Sequence, residues 1–339
     1  MKPPTLADIR RAAALLKGVA HETPVLTSRQ LNERSGARVF LKCENFQRVG
    51  AFKFRGAYTA IANLTRHHPS QPIVVLSSGN HAQGVALACQ LHGREAHIVM
   101  PEPVNPLKRA AVLGYQGKVY TPANRDEADQ LVEELVLKLN GHCIHAFNDP
   151  KVIAGQGTAA LELLHTVKDL DVLLAPIGGG GLLSGTCIAA HGLNPALDIY
   201  ACEPADALDA IHSVRENRVV PQPNPQTIAE GLRTSIGDLT LVVLRKHLTG
   251  FFVVEEHEII EAMQFVFERL KIIIEPSSAV ALAPLLRREA ALQGKQVGVI
   301  ITGGNVDLTG FFQNLSQAPN QWGPERHGVQ ERSHEKISS

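Results

Sequence analysis

Cysteine is scarce in this chain of 339 residues, and the five present (Cys43, Cys89, Cys143, Cys187 and Cys202) are scattered, odd in number and never spaced as CxxC. That pattern argues against a disulfide framework and a zinc ribbon and fits a reducing compartment. Net charge is also missing. Lys and Arg number 33 and balance 33 Asp and Glu, so no chain-wide field attracts nucleic acid or an anionic membrane, and a small neutral or zwitterionic ligand is the expected partner. No apolar run reaches about 18 residues, and the amino terminus lacks the apolar core of a signal peptide. The expectation is a cytoplasmic protein with no membrane or nucleic-acid partner. The 15 histidines include no HExxH and no paired ligand spacing, and no internal repeat or low-complexity tract interrupts the body. What remains, 44% hydrophobic and 19% charged residues, is the composition of an ordinary globular protein long enough for roughly two domains.

Apolar patterning sets out those domains. Thr5 and Asp8 form a capping-box pattern ahead of Leu6, Ile9, Ala13 and Leu16 at helical spacing. A strand at Val39 to Lys42 leads into a helix from about Phe54 to Leu64. Strands at Ile73 to Leu76, Ala96 to Met100, Lys118 to Thr121 and Cys143 to Ala146 then alternate with helices at Asn80 to Leu91, Pro106 to Leu113 and Asp126 to Leu139. The rhythm resumes with helix Lys151 to His165, strand Asp171 to Ala175, helix Leu182 to Ala190 and strand Asp198 to Cys202. After a proline-rich connector come helix Leu239 to Leu248, strand Phe251 to Val254, helices Glu256 to Leu270 and Ser277 to Arg287, and strand Val297 to Ile301. Alternation of this kind predicts an α/β fold of two doubly wound parallel-sheet domains. The expected division is a small domain at 69–147 inserted into a large one made of 1–68 and 148–316, with a polar, flexible tail at 317–339.

Four stretches carry chemistry. Lys53 lies between Phe52 and Phe54, with Gly50, Ala51, Gly56 and Ala57 around it. Apolar walls desolvate an amine and lower its pKa, as condensation with an aldehyde or base catalysis requires, although a lysine snorkelling to solvent would look the same. Ser77-Ser78-Gly79-Asn80-His81 joins a strand end to a helix start and would seat a carboxylate or another anion beyond what helix capping needs. Gly178-Gly179-Gly180-Gly181-Leu182 follows a buried strand without GxGxxG spacing; a tight turn rarely needs so many glycines, so phosphate is the favoured ligand. Thr302, in the run Thr302-Gly303-Gly304-Asn305, brings a neutral hydroxyl to a third strand end. In a doubly wound sheet such ends share one cleft. Amine, anion seat, phosphate cup and hydroxyl are together what pyridoxal phosphate needs.

These motifs, in this order from the first helix to about Asp307, resemble those of the fold-type II pyridoxal-phosphate enzymes, whose fold is like that of the tryptophan synthase β chain. The closer resemblance is to the serine racemase and catabolic serine/threonine dehydratase group. Val152 to Thr158 and Ile274-Glu275-Pro276 also match family segments. The resemblance implies that Lys53 carries the cofactor covalently, with Phe52 beside it. It makes Asn80 the partner of the cofactor's 3-hydroxyl and Thr302 that of its ring nitrogen, adds Asn148 and Glu275 as further cofactor contacts, and places the Gly178 to Leu182 loop around the phosphate and Ser77, Ser78, Gly79, Asn80 and His81 against the substrate. Ser78 matches the residue that faces the substrate opposite the lysine in the racemases. The family position at Thr302 is most often serine. The racemases' arginine aligns with Ala128, with Arg125 one turn away, which weakens a claim for an acidic substrate. Glu203-Pro204-Ala205-Asp206-Ala207-Leu208-Asp209 reads by spacing alone as a solvated acidic turn. By resemblance Glu203, the Ala207 carbonyl and Asp209 would hold Mg²⁺ or Ca²⁺.

The expected activity is pyridoxal-phosphate-dependent removal of water and ammonia from a β-hydroxy amino acid such as serine or threonine, giving a 2-keto acid. Lys53 would take the α-proton, in a homodimer. The alternatives are a serine racemase using Ser78, a dehydratase specific for 3-hydroxyaspartate or phenylserine, and a non-catalytic amino-acid sensor that retains the fold.

Overall fold

The computed structural model describes residues 1–309 together with Glu335 and Lys336. Its strands are β1 (Val25–Leu26), β2 (Arg38–Cys43), β3 (Ile73–Leu76), β4 (Ala96–Val99), β5 (Lys118–Tyr120), β6 (His142–Cys143), β7 (Val172–Pro176), β8 (Asp198–Pro204), β9 (Gly250–Val254), β10 (Gln296–Ile301) and β11 (Glu335–Lys336). Among the described residues they form two sheets, ordered β1-β2-β10-β7-β8-β9-β11 and β5-β4-β3-β6. Every pairing is parallel except those of β1 and β11 at the edges of the larger sheet. Parallel strands need crossovers, and the helices supply them on both faces. Side chains alternate accordingly. On β7, Leu173 and Ala175 face one core and Val172 and Leu174 the other, while on β3 Ile73 and Val75 oppose Val74. No helix among the described residues is long and apolar enough to cross a membrane.

Parallel order puts the carboxyl ends of β2, β10, β7 and β8 along one edge in that sequence. The lysine stretch follows β2, Thr302 follows β10, the glycine loop follows β7 and Glu203 lies near the end of β8. The expected strand Cys143 to Ala146 stops at Cys143, so the Ala146 carbonyl is free of the ladder and accepts from Lys53 instead. The expected helix Ser277 to Arg287 is two short pieces, Pro276–Ala279 and Ala283–Leu286, because Pro284 can only begin a helix. Helix Arg29–Ser35 and helix Asp209–Glu216 were not foreseen. The tail at 317–339 lies outside the described residues except for β11, which pairs with Gly250 and Phe251.

Helix Lys53–His67 is held between the two sheets. Phe54, Ala57 and Ile61 join the core under the smaller sheet, whereas Arg55 and Gly56 face helix Pro150–Thr166. Gly155 permits that contact, since a Cβ there would lie 2.5 Å from the Arg55 carbonyl. Arg55 is fully buried. Its guanidinium donates to both oxygens of Glu44 at 2.7 and 2.8 Å and to both of Glu162 at 2.6 and 2.8 Å. Lys42 Nζ completes the array at 2.6 Å from Glu162. Burial, the largest single influence, would raise the Glu44 carboxyl, but the charge and hydrogen bonds of Arg55, with Lys42 and Thr23, together outweigh it and the net shift is downward. Arg55→Ala would leave Glu44 as an uncompensated buried charge, and a loss of about 3–5 kcal/mol is expected in urea unfolding.

Candidate active site

Lys53 owes its position to backbone pairing with the end of β10. Phe52 N–H donates to the Thr302 carbonyl at 2.9 Å, Gly304 N–H donates to the Gly50 carbonyl at 2.9 Å, and Ala51 bridges Gly303. The chain arrives through two successive left-handed residues, Val49 (φ 56°) and Gly50 (φ 67°). A β-branched residue avoids that region. Asn305 secures it by donating from Nδ2 to the Val49 carbonyl at 2.6 Å.

The Lys53 side chain does not run out to solvent. Nζ donates to the Ala146 carbonyl at 3.0 Å and lies 5.2 Å from the centre of the Phe52 ring. Burial lowers its pKa to about 8 against the opposing charge of Glu275. Burial, with the charge of Lys53 second, also pushes His81 down to about 3 and lowers His145. Both imidazoles are therefore neutral at physiological pH.

The amine faces a cavity of about 1130 Å³ between the sheets, whose wall includes Phe52, Ser77, Ser78, Gly79, Asn80, His81, Gly178 to Leu182, Glu275 and Thr302. Helix Asn80–Leu91 begins at Gly79 without a side-chain cap, so the polar run is not consumed by capping. Asn80 is held at both ends of its amide. Nδ2 donates to both Glu275 oxygens at 2.9 Å, and Oδ1 accepts from Asn305 at 2.9 Å. Thr302 Oγ1 pairs with Ser278 Oγ at 2.8 Å. Asn148 is not among the cavity residues; its Oδ1 accepts from Leu239 N–H at 3.0 Å and anchors the start of helix Asp238–His247.

The glycine loop fits a phosphate rather than a mere turn. Gly180 has φ +81°, and helix Gly181–Leu193 starts there on the cavity wall without a side-chain cap for its first N–H groups. A Cβ at Gly179 would meet the Phe147 ring at 2.3 Å, and one at Gly181 would meet Phe147 Cβ at 2.8 Å. A cradle of bare backbone, a lysine of lowered pKa and a buried hydroxyl at Thr302 are the donor set that pyridoxal phosphate requires. The residues present fit that group.

The acidic turn is not solvated. Glu203, Ala207 and Asp209 are 1%, 1% and 4% exposed. Glu203 accepts from Ala210 N–H at 2.8 Å and Ile211 N–H at 3.1 Å, capping helix Asp209–Glu216, and Asp209 accepts from Ile236 N–H at 3.1 Å. Burial, then the charge of Asp209, pushes the Glu203 carboxyl well up, and burial raises Asp209 to about 7. Among the described residues no group of three or more His, Cys, Asp or Glu could hold a metal ion.

Sequence reasoning missed Ala146, Phe147, Ser278 and Lys108 at this site. Ser278 follows Glu275-Pro276 directly and could have been flagged by adjacency. The others carry no local signal, since a backbone carbonyl, a packing ring and one helical lysine look ordinary in sequence.

With the geometry in place, comparison with known proteins agrees. A family profile for pyridoxal-phosphate dependent enzymes matches residues 16–303. The chain is 42% identical over 316 residues to an L-threo-3-hydroxyaspartate ammonia-lyase of Saccharomyces cerevisiae, covering 92% of this chain and 97% of that protein. It is 42% identical over 321 residues to a serine racemase of Dictyostelium discoideum, covering 92% and 98%. The crystal structure of Dictyostelium discoideum serine racemase superposes with a TM-score of 0.86 over 90% of this chain and 99% of that one. The chain therefore belongs to the fold-type II pyridoxal-phosphate dependent enzymes, in the family of the serine racemases and dehydratases.

Proposed function

We infer that this enzyme is a dehydratase, an ammonia-lyase acting on a β-hydroxy amino acid, with a substrate bearing a second carboxylate, of the 3-hydroxyaspartate type, preferred over serine or threonine. The observation that carries the elimination chemistry is Lys53, an amine with its pKa lowered to about 8 that faces the Ser77 to His81 run across one cavity. The acidic preference draws on the cavity wall, which carries Lys108, Arg125 and Arg233 besides Lys53. Ala128, at the position of the racemases' arginine, is fully buried, but Arg125 one turn earlier reaches the wall. The yeast relative is itself named for L-threo-3-hydroxyaspartate.

When bound, pyridoxal phosphate supplies the electron sink that makes the α-hydrogen acidic. The residues of this chain do the rest. Lys53 would hold the cofactor and, once displaced by the substrate amine, take the α-proton on Nζ. Ser77, Ser78 and the start of helix Asn80–Leu91 would receive the α-carboxylate. Glu275 and Asn305 fix the Asn80 amide in advance, and Thr302, paired with Ser278, offers the ring nitrogen a neutral hydroxyl rather than a carboxylate. Loss of the β-hydroxyl as water, regained on hydrolysis, leaves a 2-keto acid and ammonia. Racemisation is the second reading. It is favoured by Ser78, whose hydroxyl lines the same cavity.

We also propose a divalent cation, Mg²⁺ or Ca²⁺, at Glu203, Asp209 and the Ala207 carbonyl. Two buried carboxyls whose pKa values are both raised are poorly matched to one another, and a hard cation between them relieves the mismatch. Water would complete the shell, and the role would be structural.

Lys53→Ala is expected to abolish turnover and the visible absorption of the purified protein, and borohydride should modify Lys53 in the wild type. Covalent uptake of pyridoxal phosphate by the apo-protein should quicken as pH rises and level off above about 8, because the neutral amine is the nucleophile. A modified peptide from another lysine would refute the assignment. Ser78→Ala should suppress racemisation far more than elimination of the enantiomer whose α-hydrogen faces Lys53. Chiral chromatography alongside keto-acid assay separates the two, and equal losses would assign Ser78 to binding. Exhaustive chelation should lower the thermal midpoint reversibly by several degrees, since a ligand held only by the folded state stabilises it. Asp209→Ala should reproduce that shift and abolish the response to added Mg²⁺ or Ca²⁺. A wild-type midpoint unmoved after verified metal removal would dismiss the cation.

A further inference from the structure

The cavity wall carries four cations, Lys53, Lys108, Arg125 and Arg233, and four carboxylates, Asp129, Glu230, Glu275 and Asp307. The cations are engaged very differently. Arg125 is 72% exposed and pairs at 3.0 Å with Asp129 on its own helix. Arg233 directs Nε and Nη2 at the Thr227 carbonyl. Lys108 is only 13% exposed, on helix Pro106–Gly114 beside the smaller sheet, and it pairs across the cavity with Glu230 on the turn Glu230–Leu232. The charges of Lys108 and Glu230 both act on Glu275, the carboxylate that holds Asn80. Lys108 is thus the inward-lying cation over the anion seat.

A lysine whose side chain is this little exposed gains from a counter-charge, because little water is left to replace one. Its present partner is 56% exposed and can return to water easily, since exposed ion pairs are weak. We propose that Lys108 is a specificity-determining residue that exchanges partners. Glu230 holds it when the cavity is empty or filled by a neutral side chain, and the second carboxylate of an acidic β-hydroxy amino acid displaces Glu230 and takes its place. The exchange conserves charge at Lys108, one carboxylate replacing another. It rests on the substrate reading above and adds the group that recognises the acidic side chain. It also gives one site a means of accepting both aspartate-like and serine-like substrates.

The test compares wild-type, Lys108→Met and Glu230→Gln holoenzymes on threo-3-hydroxyaspartate and serine, reading the ratio of the two kcat/KM values. Loss of a charge-assisted contact should lower the ratio by about tenfold to a hundredfold in Lys108→Met. Removal of the competing carboxylate should raise it by roughly two- to fivefold in Glu230→Gln. Both ratios moving the same way, or either staying at the wild-type value, overturns the proposal and leaves the pair as a strut across the cavity. If the wild type turns over neither substrate, it is the assigned activity that fails. The same three holoenzymes are then titrated with aspartate and alanine while the cofactor absorption is followed. The ratio of the two dissociation constants must favour alanine in Lys108→Met and aspartate in Glu230→Gln; any other outcome sinks the exchange.

Discussion

An amine that must give up its proton inside a protein cannot be handed a carboxylate of its own, and the architecture around Lys53 is arranged about that constraint. Glu275 is close enough to oppose the downward shift of the lysine but spends its hydrogen-bonding capacity on the Asn80 amide, while Lys53 is left a neutral carbonyl at Ala146. Two residues further along the same helix the opposite arrangement holds. Arg55 is likewise desolvated, yet the charges and hydrogen bonds of Glu44 and Glu162 together outweigh burial and raise its pKa. One helix start therefore presents a permanent cation to the interior of the fold and a titratable one to the cavity. The permanent charge fixes the helix from which the titratable one acts.

The distance between the lysine and the phosphate cradle is set by backbone contact. Helix Pro150–Thr166 touches helix Lys53–His67 through Gly155 and helix Gly181–Leu193 through Gly157, where a Cβ would lie 2.7 Å from the Gly185 carbonyl. Gln156, between the two glycines, accepts from Gly56 N–H at 3.0 Å. Three helices are thereby locked at close range, and two of them begin at the wall of the cavity. Side-chain packing tolerates small adjustments of this kind, whereas backbone against backbone leaves none. The glycines at 155 and 157 explain why a segment remote from the chemistry belongs to the pattern that marks the family.

Much of this was legible in the sequence because it lies in short contiguous runs. The strand and helix rhythm, the lysine between phenylalanines, the polar run from Ser77 to His81, the glycine loop and the hydroxyl at Thr302 each announce themselves by local composition. Parallel topology then brings the ends of β2, β10 and β7 together. What could not be read depends on contacts distant in sequence. Helix Asp209–Glu216 was hidden because its cap is Glu203, six positions earlier at a strand end, so the acidic stretch looked like surface. The pairing of Lys108 with Glu230 joins residues 122 apart. The site of Asn148 is set by the loop at Gly237 to Leu239, which no pattern near Asn148 reveals.

In the proposed reaction the same lysine, anion seat and phosphate cradle would serve elimination and racemisation alike, so the balance between them would come from the proton donors around the substrate. His81, pushed down to about 3, is uncharged near neutral pH, and burial with the charge of Lys53 shifts His145 the same way. Lys53, in the proposed role of base, would return the α-proton to its own face alone. On that reading inversion would depend on the Ser78 hydroxyl, a weak acid with no cationic imidazole at His81 or His145 to assist it. On the proposed reading, neutral histidines would weigh toward elimination, because the burial that lowers the pKa of Lys53 also leaves this wall without a cationic imidazole at His81 or His145.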